Sequence, residues 1–313
     1  MLSDDGRIER LVNVAEMYYK QDMNQAEIAK VLGVSRPLVS VLLKEARQRG
    51  VVTITINHAK NARQLMSEQL RDRFGIQEVL LVEDQKSEEE TNDALAMEAY
   101  RYCFSDCAGK RIGIGWGSLP DHMAQYAETL EPEPEDDATG CIFPLIGGIG
   151  ASYRGYHPNE ITRIISMHVG LPAKYLYLPA FFDSDDDLTF AHHTDMYRDL
   201  EQCWGDMDLA VLNVSNVSSY PDLGAEYRFG KNPAKLGAVG RMLAYYYDIN
   251  GSLVMPKVDN AVQISVDQLK NTEKVVACCS ALLQPASLVG ALGMGVIDVL
   301  VLPESLAQKL LDR

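Results

Sequence analysis

Apolar side chains return at helical spacing through Ile8, Leu11, Val12, Val14, Ala15, Tyr18 and Tyr19, which predicts a first helix running to Met23 with one face on a small core. Asn24 then restarts the chain as the N-cap of a short helix, Gln25 to Leu32, with Glu27 placed to close a capping box. Gly33 ends that helix, because glycine accepts a left-handed backbone most easily. Ser35 is predicted to cap the next helix, with Arg36 and Pro37 in its first turn, where a proline loses no hydrogen bond. The β-branched run Val51–Asn57 predicts a strand, and Ala62 to Phe74 a connecting helix.

Beyond Phe74, apolar runs alternate with amphipathic stretches. Strands are predicted at Glu78–Val82, Arg111–Trp116, Cys141–Ile146, Tyr175–Pro179, Asp208–Val214, Lys274–Cys279 and Ile297–Leu302. Helices are predicted at Asn92–Cys107, Pro120–Leu130, Asn159–Val169, Met196–Trp204, Ala234–Tyr247, Pro285–Leu292 and Ser305–Leu311. Repeated β-then-α units imply an α/β fold with a mostly parallel sheet covered on both faces, in which ligands bind beyond the carboxyl ends of the strands.

Two short helices joined by a glycine turn have the shape of a helix-turn-helix, with Ala29 at the close approach and Val39 pointing inward. Ser35, Arg36, Leu38 and Ser40 would then reach base edges, while Lys44, Arg47 and Arg49 suit phosphates, and Gln25 is a further expected DNA contact. The strand Val51–Asn57 would make the motif winged. The predicted division is 1–57 for DNA binding and 58–313 for effector binding and oligomerisation.

Composition sharpens this picture through its distribution. The 313 residues hold 29 Lys and Arg against 44 Asp and Glu, a net charge of −15 that by itself argues against a polyanionic partner. Residues 1–60 nevertheless carry +2 and residues 61–313 carry −17. Between residues 30 and 60, Lys30, Arg36, Lys44, Arg47, Arg49 and Lys60 face one acid, Glu45. The acidic remainder should repel duplex away from the reading heads and make binding steeply dependent on salt and oligomerisation. No run of ~18 apolar residues spans a membrane and no signal-peptide order opens the chain, so a cytoplasmic protein is expected. Six cysteines are too few for a disulfide scaffold.

Candidate ligand chemistry gathers at two glycine-rich strand ends. Gly113–Ser118 (GIGWGS) precedes a helix, so its N–H groups and the helix N-terminus could hold an anion; as a dinucleotide fingerprint it lacks the final glycine. Pro144–Gly150 (PLIGGIG) leads through Tyr153, Arg154 and Tyr156 to His157-Pro158-Asn159-Glu160. Asn159 and Glu160 either hydrogen-bond ligand hydroxyls or serve as ordinary caps. Cys103 and Cys107 lack a second ligand pair at finger spacing, and His192, His193 and Asp195 read as a solvated loop. No metal, cofactor, nucleophile elbow or Walker loop is indicated.

With AEMYYKQDMNQAEIAKVLGVSRPLVSVLLKEARQRGVVTITI at the front and GIGWGS, PLIGGIG, HPNEI, DLAVLNVSNV, GAVGRMLAYYYDINGSLV and GVIDVLVLPESLAQKLL behind, the chain resembles the SorC family of bacterial sugar-binding transcriptional regulators nearly end to end. The resemblance implies a winged helix-turn-helix joined to a Rossmann-like effector domain similar to sugar-phosphate isomerases and deaminases. It also implies a homotetramer built as a pair of dimers, with an operator and a small phosphosugar as partners. Effector contacts carried over by the resemblance are Gly115, Trp116, Gly117, Ser118, Gly147, Gly148, Asn159, Glu160, Asn213, Arg241 and Gln284. Several of these depart from the family pattern. Gln284 stands where the family commonly has a phosphate-holding lysine, and Ser118 and Leu119 replace Arg or Gly and Thr. Asn213-Val214-Ser215 replaces Gly-x-Gly, and Arg241 an acid. A phosphate needs cationic or N–H partners to offset its desolvation, so a polyol, sugar acid or other polar metabolite stands beside a phosphosugar as the expected effector. The expectation is a non-enzymatic, effector-responsive regulator of a carbohydrate or related operon; the alternatives are an isomerase- or deaminase-like enzyme with an appended module, and a scaffold with a decayed pocket.

Overall fold

The computed structural model describes residues 4–21, 23–49, 51–52, 62–134, 140–149, 156–219, 225–257 and 259–312. The chain divides into two compact units, Met1–Ala59 and Lys60–Arg313.

In the first unit, α1 (Asp4–Tyr19), α2 (Gln25–Leu32) and α3 (Arg36–Gln48) enclose Leu11, Val14, Ala15, Ile28, Ala29, Val39, Leu42, Leu43 and Ala46. Asn24 accepts from the N–H groups of Ala26 and Glu27 while Glu27 returns a bond to the Asn24 N–H at 2.8 Å, so the expected capping box is complete. Gly33 ends α2 at φ 64°, its N–H on the Ala29 carbonyl. Ser35 occupies the N-cap of α3 with extended backbone, but its side chain makes no capping bond, unlike the expectation; its hydroxyl is left available outward. Val51 and Val52 are bends that pack on this core, and the rest of the predicted strand Val51–Asn57 lies outside the described residues. Asn24→Ala removes both reciprocal bonds and is expected to destabilise α2 by about 1 kcal/mol, read as roughly fivefold faster amide exchange across α2 with α1 unchanged.

In the second unit the helices and strands alternate as α4 (Ala62–Phe74), β1 (Glu78–Val82), α5 (Glu88–Phe104), β2 (Arg111–Ile114), α6 (Ser118–Ala127), β3 (Cys141–Pro144) and α7 (Pro158–Val169). There follow α8 (Asp185–His192), α9 (Asp195–Gly205), β4 (Leu209–Asn216), α10 (Ala225–Phe229), β5 (Gly240–Met242) and β6 (Tyr245–Tyr247). The chain ends with α11 (Val266–Asn271), β7 (Lys274–Cys279), α12 (Pro285–Gly293), β8 (Val299–Pro303) and α13 (Glu304–Leu311). Six strands run parallel in the order β1-β8-β7-β4-β2-β3. Alternate side chains of each strand serve opposite faces: Ala210, Leu212 and Val214 enter one core and Leu209 and Val211 the other. α5, α6 and α7 cover the second core, while α4, α9, α11, α12 and α13 supply the first. The predicted connector helix α4 is docked on this unit, with Leu70 buried, Ser67 Oγ on the Val79 carbonyl and Arg73 on the Leu310 carbonyl at 2.7 Å.

Two predicted elements are corrected. Residues 175–179 form no strand; Leu176 is held by Asn159, and Pro179 makes an isolated bridge to Gly148. The predicted helix Ala234–Tyr247 is a 3-10 turn (Pro233–Leu236) followed by the β5–β6 hairpin, antiparallel to β4. An apolar run suits a helix or a buried strand, and here the unpaired end of β4 and the β-prone Tyr245, Tyr246 and Tyr247 decide for the strand. The helices α8, α10 and α11 were not predicted.

Candidate functional site

The helix pair α2–α3 presents its charge on one side. Val39 is fully buried, as expected, while Ser35, Arg36, Leu38 and Ser40 are all exposed around the start of α3. Residues 36, 40, 44 and 47 fall on one helical stripe, so Arg36, Ser40, Lys44 and Arg47 run side by side. Gln25 is half-buried at the first position of α2. Arg49 is already engaged: Glu45 pairs with it at 3.1 Å and with Arg7 at 3.0 Å. The Arg7 hydrogen bond, followed by attraction to both arginines, holds the Glu45 carboxyl below its usual range against the cost of burial. The one acid in the basic stretch is thus spent on Arg7 and Arg49, and the Lys44 and Arg47 charges face outward.

In the larger unit, the sheet order reverses between β2 and β4. The parallel strand that follows β2, β3, lies on one side and the parallel strand that follows β4, β7, lies on the other, so the strand order switches between the carboxyl ends of β2 and β4. At such a switch point open α/β sheets bind ligands in a crevice. Gly115, Trp116, Gly117 and Ser118 lie at this point, with Asn213 across from them. Asn213 Oδ1 accepts the Leu119 N–H at 3.2 Å and its Nδ2 donates to Ser215 Oγ at 2.7 Å, which fixes the first turn of α6 against β4. Gly117 sits at φ 127°, and a Cβ there would stand 2.8 Å from Asn213 Cγ. The first N–H groups of α6 have no intrahelical acceptor.

The β5–β6 hairpin occupies the edge of β4 beyond the point where β2 stops, since Val214 pairs with Cys279 on one side and Met242 on the other. Its turn reaches over the first glycine loop, Leu243 lying 3.0 Å from where a Gly115 Cβ would be. Leu243, at φ 51°, is the one non-glycine residue with positive φ among the described residues. Arg241, opposite Ser215 in the ladder, is 1% exposed and donates to the carbonyls of Leu243 at 3.2 Å and Ser219. Among the described residues, Arg241 Nε and the indole N–H of Trp116 meet no hydrogen-bond partner. Gln284 is exposed before α12, its N–H on Asn216 Oδ1 at 3.0 Å, so its backbone stands at the carboxyl end of β4.

The second glycine loop is a separate cluster. The N–H of Gly147 is taken by the Val262 carbonyl and that of Gly148 by Leu178. Asn159 is buried and exchanges two bonds with the Leu176 backbone, and Glu160 is held by Arg163 through both oxygens. Through these contacts the Asn159 oxygen and amide nitrogen tie α7 to residue 176. Tyr153 and Arg154 lie outside the described residues. The structure adds Phe181, whose ring stands between Trp116 (6.1 Å) and the Arg228 guanidinium (4.5 Å). Phe181 and Arg228 carry no periodic or spacing signal that joins them to Trp116.

His157 caps α7, accepting the Asn159 N–H on Nδ1 at 3.3 Å, so the neutral ring carries its proton on Nε2, which faces Gly148. Burial holds the imidazole below its ordinary range, the Glu160 carboxylate pulling the other way. The unfolded chain takes up this proton at a higher pH than the folded one, so stability is full above the ordinary range and falls on acidification through it. His157→Asn keeps a capping side chain and is expected to flatten the fall in melting temperature between about pH 7.5 and 5.5 relative to the parent, the ordinary imidazole value of about 6.5 lying between them.

Comparison with known proteins places both units. The family model described as "Putative sugar-binding domain" matches residues 58–312, and "Sigma-70, region 4" matches residues 9–49. The sorbitol operon regulator of Klebsiella pneumoniae is 27% identical over 322 aligned positions, 99% of each chain. The deoxyribonucleoside regulator of Bacillus subtilis is 23% identical over 96% of both. Among solved structures, the full-length sorbitol operon regulator SorC from Klebsiella pneumoniae superimposes with a TM-score of 0.70 at 26% identity, covering 99% of this chain and 100% of that one. A DeoR family transcriptional regulator from Listeria monocytogenes reaches 0.67 at 26% identity, covering 80% of this chain and all of its own.

Proposed function

From the premise that this chain belongs to the sugar-binding-domain family of SorC-type transcriptional regulators, we propose that it is an effector-responsive DNA-binding regulator of a carbohydrate or related metabolite operon. One observation carries the reading: the exposed Arg36–Ser40–Lys44–Arg47 stripe and the β2/β4 crevice occur in one chain, on separate compact units. Residues 1–57 read the operator and residues 58–313 bind the effector and assemble the oligomer, a tetramer of paired dimers. Arg36 and its neighbours Ser35, Leu38 and Ser40 face base edges; Lys44, Arg47 and the N-terminus of α2 at Gln25 hold phosphates. No helix among the described residues is long and apolar enough to cross a membrane, and we place the protein in the cytoplasm with its operator.

We read the effector site as donor-rich: the α6 N-terminus and two buried donors without a hydrogen-bond partner, the Trp116 indole N–H and Arg241 Nε, belong to the segments around the β2/β4 switch point, which suits an oxygen-rich metabolite. Effector binding acts through its differential affinity for subunit arrangements that match or mismatch the operator half-sites. A thermal-shift screen of polyols, sugar acids and their phosphates, followed by a mobility-shift assay, tests this. A true effector at about 100 times its Kd adds about 2.7 kcal/mol of stability and changes operator retention. Stabilisation with no change at the operator, or turnover of a phosphosugar, would count against the regulator.

A further inference from the structure

Two of the six free thiols are not packed as simple hydrophobes. Cys141 opens the edge strand β3 and Cys203 lies near the end of α9. Cys141 and Cys203 lie in the same core cluster, each the largest influence on the other's protonation, and Lys174 Nζ donates to the Cys203 sulfur at 3.2 Å. Arg111, the ladder neighbour of Cys141 on β2, adds a second positive charge. Lys174 is exposed, and its segment runs along the outer edge of β3 through Ile142 N–H to the Pro172 carbonyl and Lys174 N–H to the Ile142 carbonyl. The Cys203 sulfur is therefore one side chain from water. The pair sits at the amino end of β3, whereas the effector crevice opens at the carboxyl ends of the strands.

The neighbouring Cys141 thiol, and after it the ammonium of Lys174, overcome burial and pull the Cys203 thiol below its ordinary range. Cys103, Cys278 and Cys279, with no such donor, are pushed the other way by burial. Reactive thiols occupy electropositive, reachable surroundings of the first kind.

We propose that Cys203 and Cys141 form a peroxide-reactive dithiol, with Cys203 the attacking sulfur, Cys141 the resolving one and Lys174 the residue that activates Cys203. The Cys203 thiolate attacks one oxygen of hydrogen peroxide, the O–O bond breaks, and Cys203 becomes a sulfenic acid as hydroxide leaves and takes up a proton. Cys141 then loses its proton and attacks the Cys203 sulfur; the S–O bond breaks and water departs. Two thiols and one peroxide give one disulfide and two waters, the sulfurs being oxidised and the peroxide reduced. The link ties α9 to the amino end of β3.

The test exposes the full-length protein to hydrogen peroxide, alkylates the remaining thiols and maps unreduced peptides by mass spectrometry. The expected result is a Cys141–Cys203 link with Cys103, Cys278 and Cys279 alkylated. In Cys141→Ser, a sulfenic-acid trap should label Cys203. Lys174→Gln, at an exposed position outside the core, should shift the pH–rate profile of link formation to higher pH, because without the ammonium the Cys203 thiolate forms only at higher pH; coincident profiles would remove Lys174 from this role. The proposal is overturned if the folded protein forms no such link at a peroxide dose that oxidises glutathione, or if Cys278 or Cys279 oxidises first.

Discussion

Arg36→Ala is expected to weaken binding to the cognate operator by about 1–3 kcal/mol, roughly 5- to 150-fold, while leaving binding to unrelated duplex nearly unchanged. The residue is exposed in the first turn of α3, where a helix entering the major groove offers its side chains to base edges. Lys44→Ala, two turns further along the same stripe, is expected to behave differently. It should lower affinity for every sequence and reduce the slope of log K against log salt by about one. Mobility shifts over a salt series separate the two. If Arg36→Ala and Lys44→Ala change specific and non-specific binding in equal measure, Arg36 reads no base. If neither change alters operator binding, α3 is not the reading helix. Arg49→Ala, with its guanidinium already held by Glu45, should have the smaller effect of the basic residues.

Gly117→Ala is expected to abolish the effector response and to destabilise the larger unit by about 2–6 kcal/mol. Two independent costs add. At φ 127° and ψ −178° the backbone occupies a region open almost solely to glycine, worth about 1–3 kcal/mol of strain. The added Cβ would also stand 2.8–2.9 Å from the Asn213 side chain, and such overpacking costs about 1–3 kcal/mol. Relief requires Asn213 to move, and Asn213 is what holds the Leu119 N–H and the start of α6. The start of α6 and the end of β4 beside it are thus disturbed together. Lys309→Ala, at an exposed position of α13, is the control. Effector titration and thermal unfolding of the full chain provide the readout; a variant that melts like the parent and still responds would remove the β2/β4 crevice from the function.

Much of the N-terminal unit was legible because its determinants are local. The Asn24–Glu27 box, the left-handed Gly33 and the inward Val39 each act within a few residues of chain, and capping and turn chemistry are local by nature. Ser35 shows the boundary of that reasoning: it takes the N-cap position, yet its side chain makes no capping bond. In the larger unit, α4, β1 and β7 lie where periodicity and β-branched runs place them. Asn159 was read as either a ligand donor or a cap, and its bonds go to residue 176, seventeen positions away.

By itself the sequence determined a small basic helix-turn-helix ahead of a parallel α/β unit, since hydrophobic period, caps, glycine turns and charge distribution are all written along the chain. Only the tertiary structure decided that residues 240–247 are a hairpin and not a helix. The apolar run satisfies either, and the free end of β4 supplies backbone partners that a helix would leave unpaired. The same folding decided which polar groups are consumed and which remain. It spent Asn159, Glu160 and Arg49 on neighbours, left the Trp116 indole N–H and Arg241 Nε buried without a hydrogen-bond partner, and brought Lys174, Cys141 and Cys203 together from three distant segments.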